Sequence, residues 1–164
     1  MKRLTIAFTA LLVVCFTTTM AQQTKAPYVA AYSSNFKIGN TAYANKILEL
    51  WKDWDDNQLN RHEAYFADTL TMWGPDGSVT HGKAANLEAA AKFRGAFTKA
   101  ISTVHAWVPL HVTDKNEDVV CIWGTEEDHF ADGKVEKRDL HEVWWFNKDG
   151  KVSMIRQWAA KFGE

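Results

Sequence analysis

The residue best equipped for chemistry is Glu142, in the stretch HEVWWFNKDG. In an extended chain side chains alternate, so Glu142, Trp144 and Phe146 share one face while His141, Val143 and Trp145 share the other. A carboxyl group set among tryptophans loses hydration, which raises its pKa and makes it a proton donor or a poised base. An amide such as Gln157, or a cation such as Arg138, would then stabilise an enolate-like oxyanion. The structural alternative is that Glu142 pairs with Gln157 and closes a pocket, since buried acids are rare unless partnered.

Three other sets of residues invite a chemical reading. Asp76 lies in YFADTLTMWGPDG, where Pro75 fixes φ and Gly77 supplies freedom, so it suits a turn better than a reaction. His105, His111, Glu126, Asp139 and His141 offer the nitrogen and oxygen atoms that bind divalent ions. No HxH or HxxxH spacing occurs, however, and no metal is expected. Cys121 has no activating neighbour in sequence and reads as a small core residue. There is no G-x-S-x-G elbow, P-loop or dinucleotide fingerprint, and no cofactor is expected.

These residues need a scaffold. The chain of 164 residues opens MKRLTIAFTALLVVCFTTTMAQQ: basic residues, an apolar run, then small residues. That order predicts a signal peptide over residues 1–21, cut after Ala21, and a secreted or periplasmic protein with no further membrane association. Leu12, Val13 and Val14 are too bulky for acylation at Cys15, so after cleavage Cys121 stands alone and no internal disulfide forms. A net charge of −1 without a basic stripe argues against nucleic acid. Eight tryptophans must be buried in a core, a pocket or an interface.

Residues 22–40 are polar and read as an arm, leaving one domain over 41–164. Tyr43, Ile47, Leu50, Trp51 and Trp54 fall at helical spacing after Thr41, a candidate N-cap, and a second short helix carries Leu59, Ala64, Tyr65 and Phe66. Thr69 to Trp73 and Ser78 to His81 read as strands around the PDG turn. A third helix spans Lys83 to Ala100, with a Phe93–Phe97 apolar edge. Four strands follow, at about 103–113, 118–131, 134–147 and 151–160, the later ones joined by ADGK and KDG hairpin turns. Helices followed by a long meander predict an α+β domain: three helices in the N-terminal half packed on a highly curved, mainly antiparallel sheet.

LELWKDWDDNQL, YFADTLTMWGPDG, the HGK before the third helix and HEVWWFNKDGKVSMIRQW together resemble the nuclear-transport-factor-2-like superfamily, which includes SnoaL-like cyclases and ketosteroid isomerases. The resemblance covers nearly all of residues 41–161 and implies a cone-shaped α+β barrel. The isomerases' general base falls here at Gly74, their oxyanion-binding tyrosine at Leu50 and their partner acid at Glu142, so isomerisation by that route is not implied. For the acid and histidine of the cyclases, His141, Glu142, Arg156 and Gln157 are the nearest polar matches.

Taking Asp132-Gly133 as a two-residue turn sets Glu127 opposite Arg138, Glu126 opposite Asp139 and Trp123 opposite Glu142. The face bearing Cys121, Trp123, Thr125, Leu140, Glu142 and Trp144 is then, by the resemblance, the inside of the cone. A small apolar or aromatic ligand is expected there. Leu50 and Trp54 from the first helix, Met72, Phe93 and Phe97 would contact it together with Trp123 and Trp144, anchored by Glu142 and Gln157. The opposite face, with Ile122, Glu126, His141 and Trp145, is expected to form a homodimer, as relatives often do. A cyclase, isomerase or hydratase using Glu142, or an interaction domain acting through its sheet face, are the alternatives.

Overall fold

Asn40, one residue ahead of the expected cap, starts the first helix: its side-chain oxygen accepts the Ala42 N–H at 2.9 Å. In the computed structural model, which describes residues 26–162, this helix, α1, runs Thr41–Asp55. Ala44, Ile47, Leu50 and Trp51 form its buried stripe. It ends where Asn57 adopts a left-handed φ of 54°. The expected signal peptide lies outside the described residues. The chain divides into Met1–Ala31 and Tyr32–Glu164, and every helix and strand below belongs to the second unit.

The strands are β1 (Phe36–Ile38), β2 (Phe66–Trp73), β3 (Val79–His81), β4 (Lys99–Val112), β5 (Glu117–His129), β6 (Val135–Phe146) and β7 (Val152–Lys161), with α2 (Lys83–Arg94) between β3 and β4. They form one open sheet in the order β1-β4-β5-β6-β7-β2-β3. All pairings are antiparallel except β2 with β7. Irregularities in β4 between Val104 and Ala106, in β2 between Phe66 and Thr71, and in β7 at Ser153 opposite the end of β6 bend the strands, because an extra residue raises the local twist. The curved inner face packs on α1: Ile47, Leu50 and Trp51 meet Val120, Ile122, Leu140, Trp144 and Ile155. Each such aliphatic side chain contributes about 1.5–3 kcal/mol of burial. No helix among the described residues is long and apolar enough to cross a membrane.

Four expectations need correction. Two α-helices form, since Leu59 to Phe66 gives turns and a single 3₁₀ turn at Glu63–Tyr65 before Phe66 enters β2. Few apolar residues separate Asp55 from Phe66, too little to bury a helical face. α2 stops at Arg94, capped by the Gly95 N–H, so Lys99 already lies in a strand. The arm also carries β1, bonded along the β4 edge.

The fourth correction concerns register. Phe130 N–H donates to the Lys134 carbonyl and Gly133 N–H to the Phe130 carbonyl, with Gly133 at φ 85°. The loop therefore has three residues, a turn closed by a left-handed glycine, rather than two. That slides β5 by one residue against β6: Trp123 faces His141, Ile122 faces Glu142 and Glu126 faces Arg138. Because side chains alternate, Trp123 and Cys121 move to the outer face, and Ile122 and Glu126 move inside.

Candidate functional site

β6 aims Glu142 inward beneath α1. One carboxylate oxygen, Oε2, accepts the indole N–H of Trp51 at 2.8 Å and that of Trp144 at 2.9 Å, and Oε1 accepts the Gln157 amide at 2.7 Å. The register explains the partners: Gln157 is directly opposite Glu142 on β7, and Trp144 is two residues along the same face. Burial pushes the Glu142 carboxyl above its ordinary range, while the Gln157 amide and the two indoles pull it back. A carboxylate has about four acceptor positions, so Oε1 retains capacity for a further donor.

A second acid stands on β5. Glu126 is 6% exposed and receives Arg138 Nη2 at 3.1 Å. The same guanidinium nitrogen bonds the fully buried Asp128, and its face covers the Phe93 ring at 5.4 Å from the centroid. Burial pushes Glu126 up to about 7, against the attraction of Arg138 and with help from the Glu142 and Asp55 charges. The Trp54 indole N–H also lowers it, yet closes no regular hydrogen bond.

Between these acids lies a cavity of about 510 Å³, walled mainly by apolar side chains of α1, α2 and the inner sheet face. Leu50, Trp54, Met72, Phe93, Trp144, Glu142 and Gln157, among the residues expected from sequence to contact a ligand, line it. Phe97 does not; it is buried behind the wall, edge-on to Phe93 and Trp54. Trp123 does not either, being 39% exposed on the far side of the sheet. Gly74 lines the cavity, and a side chain there would meet Ser78 Oγ at 2.7 Å and Asp76 Oδ1 at 2.9 Å. Asp76 accepts the Ser78 N–H at 2.9 Å, the bond of a turn residue.

Several lining residues were not anticipated. Asp53, buried on α1, pairs with His62 at 2.7 Å and Arg61 at 3.1 Å. Asn86 on α2 donates through Nδ2 to the carbonyls of Leu70, Thr80 and Gly82, leaving Oδ1 without a partner. Trp51 follows Leu50 on the buried stripe, so helical spacing carried that signal; for Asn86 the sequence carries none. Among the described residues no group of three or more His, Cys, Asp or Glu could hold a metal ion. Glu126 faces inward, away from the side bearing Asp139 and His141. Cys121 faces outward beside Val108 and Val143, and burial pushes its thiol up.

No family model and no curated protein matches the chain. Solved structures do. An NTF2-like protein of unknown function from Exiguobacterium sp. 255-15 aligns with TM-score 0.58 and 19% identity over 73% of this chain and 99% of that one. An LEH-like epoxide hydrolase from M. tuberculosis aligns with TM-score 0.61 and 12% identity, covering 73% and 84%. A candidate SnoaL-like polyketide cyclase from Shewanella denitrificans OS-217 aligns with TM-score 0.62 and 7% identity, covering 74% and 92%. The chain has the NTF2-like, SnoaL-like fold.

Proposed function

We propose that this protein binds a small, largely apolar molecule in the cavity on the inner face of its sheet, with Glu142 as the orienting polar group. The observation that carries the reading is the buried Glu142 carboxylate, which lines a cavity of about 510 Å³ and keeps an acceptor position open on Oε1. Apolar walls supply affinity and the acid selects orientation. Calorimetric titration with naphthylmethanol, a neutral aromatic alcohol, tests this. Binding to the native chain is expected, together with loss of binding in Ala90→Trp, which fills the cavity from α2. Equal binding by both proteins refutes the reading.

A second reading is turnover of that molecule by acid–base chemistry of the cyclase, isomerase or hydratase type. It is favoured by Glu126, which titrates near neutrality in the same cavity. The fold neighbours include an epoxide hydrolase-like enzyme and a candidate cyclase. A Glu142→Gln variant that binds but no longer converts substrate would support it.

The outer face offers a place for a second copy of the chain. Trp123 and Trp158, 39% and 43% exposed, flank His141 there. A homodimer at micromolar concentration by light scattering, reverting to monomer in Trp158→Glu, is the expected result. The signal-like opening of the sequence supports export from the cytoplasm.

A further inference from the structure

The cavity's charges do not balance. Asp53, Asp76, Glu126 and Glu142 line it, against Arg138 as the single cation among its described lining residues. Asp53 is answered by Arg61 and His62, and Asp76 by its own turn. Arg138 is shared between Glu126 and Asp128 through one nitrogen. Glu142 has only neutral N–H partners. Two buried acids thus face the cavity with less than one cation between them.

Asn86 adds a buried polar group to the same lining. Its Nδ2 donates to three backbone carbonyls, at 3.3, 3.2 and 2.8 Å, which fixes the orientation of the amide. Oδ1 is left as a buried acceptor with no donor, on a residue only 7% exposed that lines the cavity. Buried acceptors normally find a partner. Trp51, Trp54, Phe66 and Trp144 meanwhile give the walls aromatic rings, whose faces attract positive charge.

We propose that the ligand of this cavity is an organic cation, a protonated amine carried on an apolar or aromatic body. The ammonium group supplies the positive charge that Glu126 and Glu142 lack, while the body occupies the aromatic walls. The inference rests on the cavity-binding reading and narrows its ligand class.

It also fixes a pH dependence. The charged groups around Glu126 are Arg138 and Glu142 on β6, Asp128 on β5, and Asp53 and Asp55 on α1. From α2, Arg94 is occupied by the carbonyls of Trp54, Asp55 and Phe97. Glu126 ionises at about 7, and a cation binds its ionised form, so amine affinity rises as pH passes upward through that value.

Calorimetry on the full chain with three matched probes, naphthylmethylamine, naphthylmethanol and naphthoate, tests the inference. Near pH ~8 the amine is expected to bind about tenfold tighter than the alcohol, and the naphthoate weakest, as one partly screened charge contact gives. Near pH ~5.5 the amine's advantage falls to about threefold or less, because Glu126 is protonated. Glu126→Gln removes the advantage at the higher pH and Glu126→Asp retains it, which separates charge from misfolding. Equal binding of amine and alcohol at both pH values, or tighter binding of naphthoate, overturns the cation inference and leaves the cavity standing. Failure of all three probes at millimolar concentration overturns both.

Discussion

Replacing Glu126 by glutamine should make the protein more stable at neutral pH and leave it little changed in acid. Burial lifts the Glu126 carboxyl from 4.5 to about 7. At about 1.4 kcal/mol per pKa unit, this is about 3 kcal/mol. The sign follows from proton counting. Between those two values the folded protein holds a proton that the unfolded chain gives up, so stability present below about 4.5 is lost as pH rises to about 7. Glutamine carries no such titration and still offers an oxygen to Arg138, which keeps its bond to Asp128. Urea unfolding of native and Glu126→Gln protein from pH ~4.5 to ~8 should give curves that coincide at the acid end and diverge by up to about 3 kcal/mol at the other. Taking the difference between the two proteins isolates Glu126 together with its coupling to Glu142. Parallel curves would show that Glu126 is as well solvated in the folded state as in the unfolded one, and the cavity would lose its second acid.

Three further outcomes follow from the same geometry. Trp51→Phe removes one of the two indole donors to Glu142 Oε2, so stability should fall by about 1.5–3 kcal/mol where Glu142 is ionised and by less in acid, read from unfolding at both pH extremes. Gly124→Ala places a methyl group 2.3 Å from the Thr103 carbonyl oxygen at the β4 irregularity, and thermal unfolding should show a loss of about 3 kcal/mol. Asp76→Ala should lower the melting temperature slightly through loss of the Ser78 bond while leaving naphthylmethanol affinity unchanged; a large loss of affinity would make Asp76 a binding group.

What the sequence made legible was whatever depends on local periodicity. The stripe Ile47, Leu50, Trp51 predicted α1, and the alternation Leu140, Glu142, Trp144, Phe146 gathered Glu142 onto one face, which the family resemblance placed inside, where it lies. The pairing of β5 with β6 depends instead on a single turn. ADGK fits a two-residue turn and a three-residue loop closed by left-handed Gly133 equally well, and the second forms, helped by Asp132 accepting the Lys134 N–H at 3.0 Å. One residue of slip reverses every β5 side chain. A clue was present: the two-residue reading sets Glu126 against Asp139, like charge against like, whereas the observed register sets it against Arg138.

That slip also determines whether the inner face can hold anything. In the expected register Trp123 points inward beside Glu142, adding the bulk of an indole to space that a ligand would need. In the observed register that indole lies outside against His141, and the inner face receives Ile122, Gly124 and Glu126 instead. Gly124 could not be larger, because the Thr103 carbonyl oxygen stands 2.3 Å from where its side chain would begin. The turn that removes the tryptophan thus leaves room in the cavity and gives it a second acid. Glu142 consequently shares an open site with Glu126 and Arg138, where the sequence alone placed it among tryptophans with Gln157.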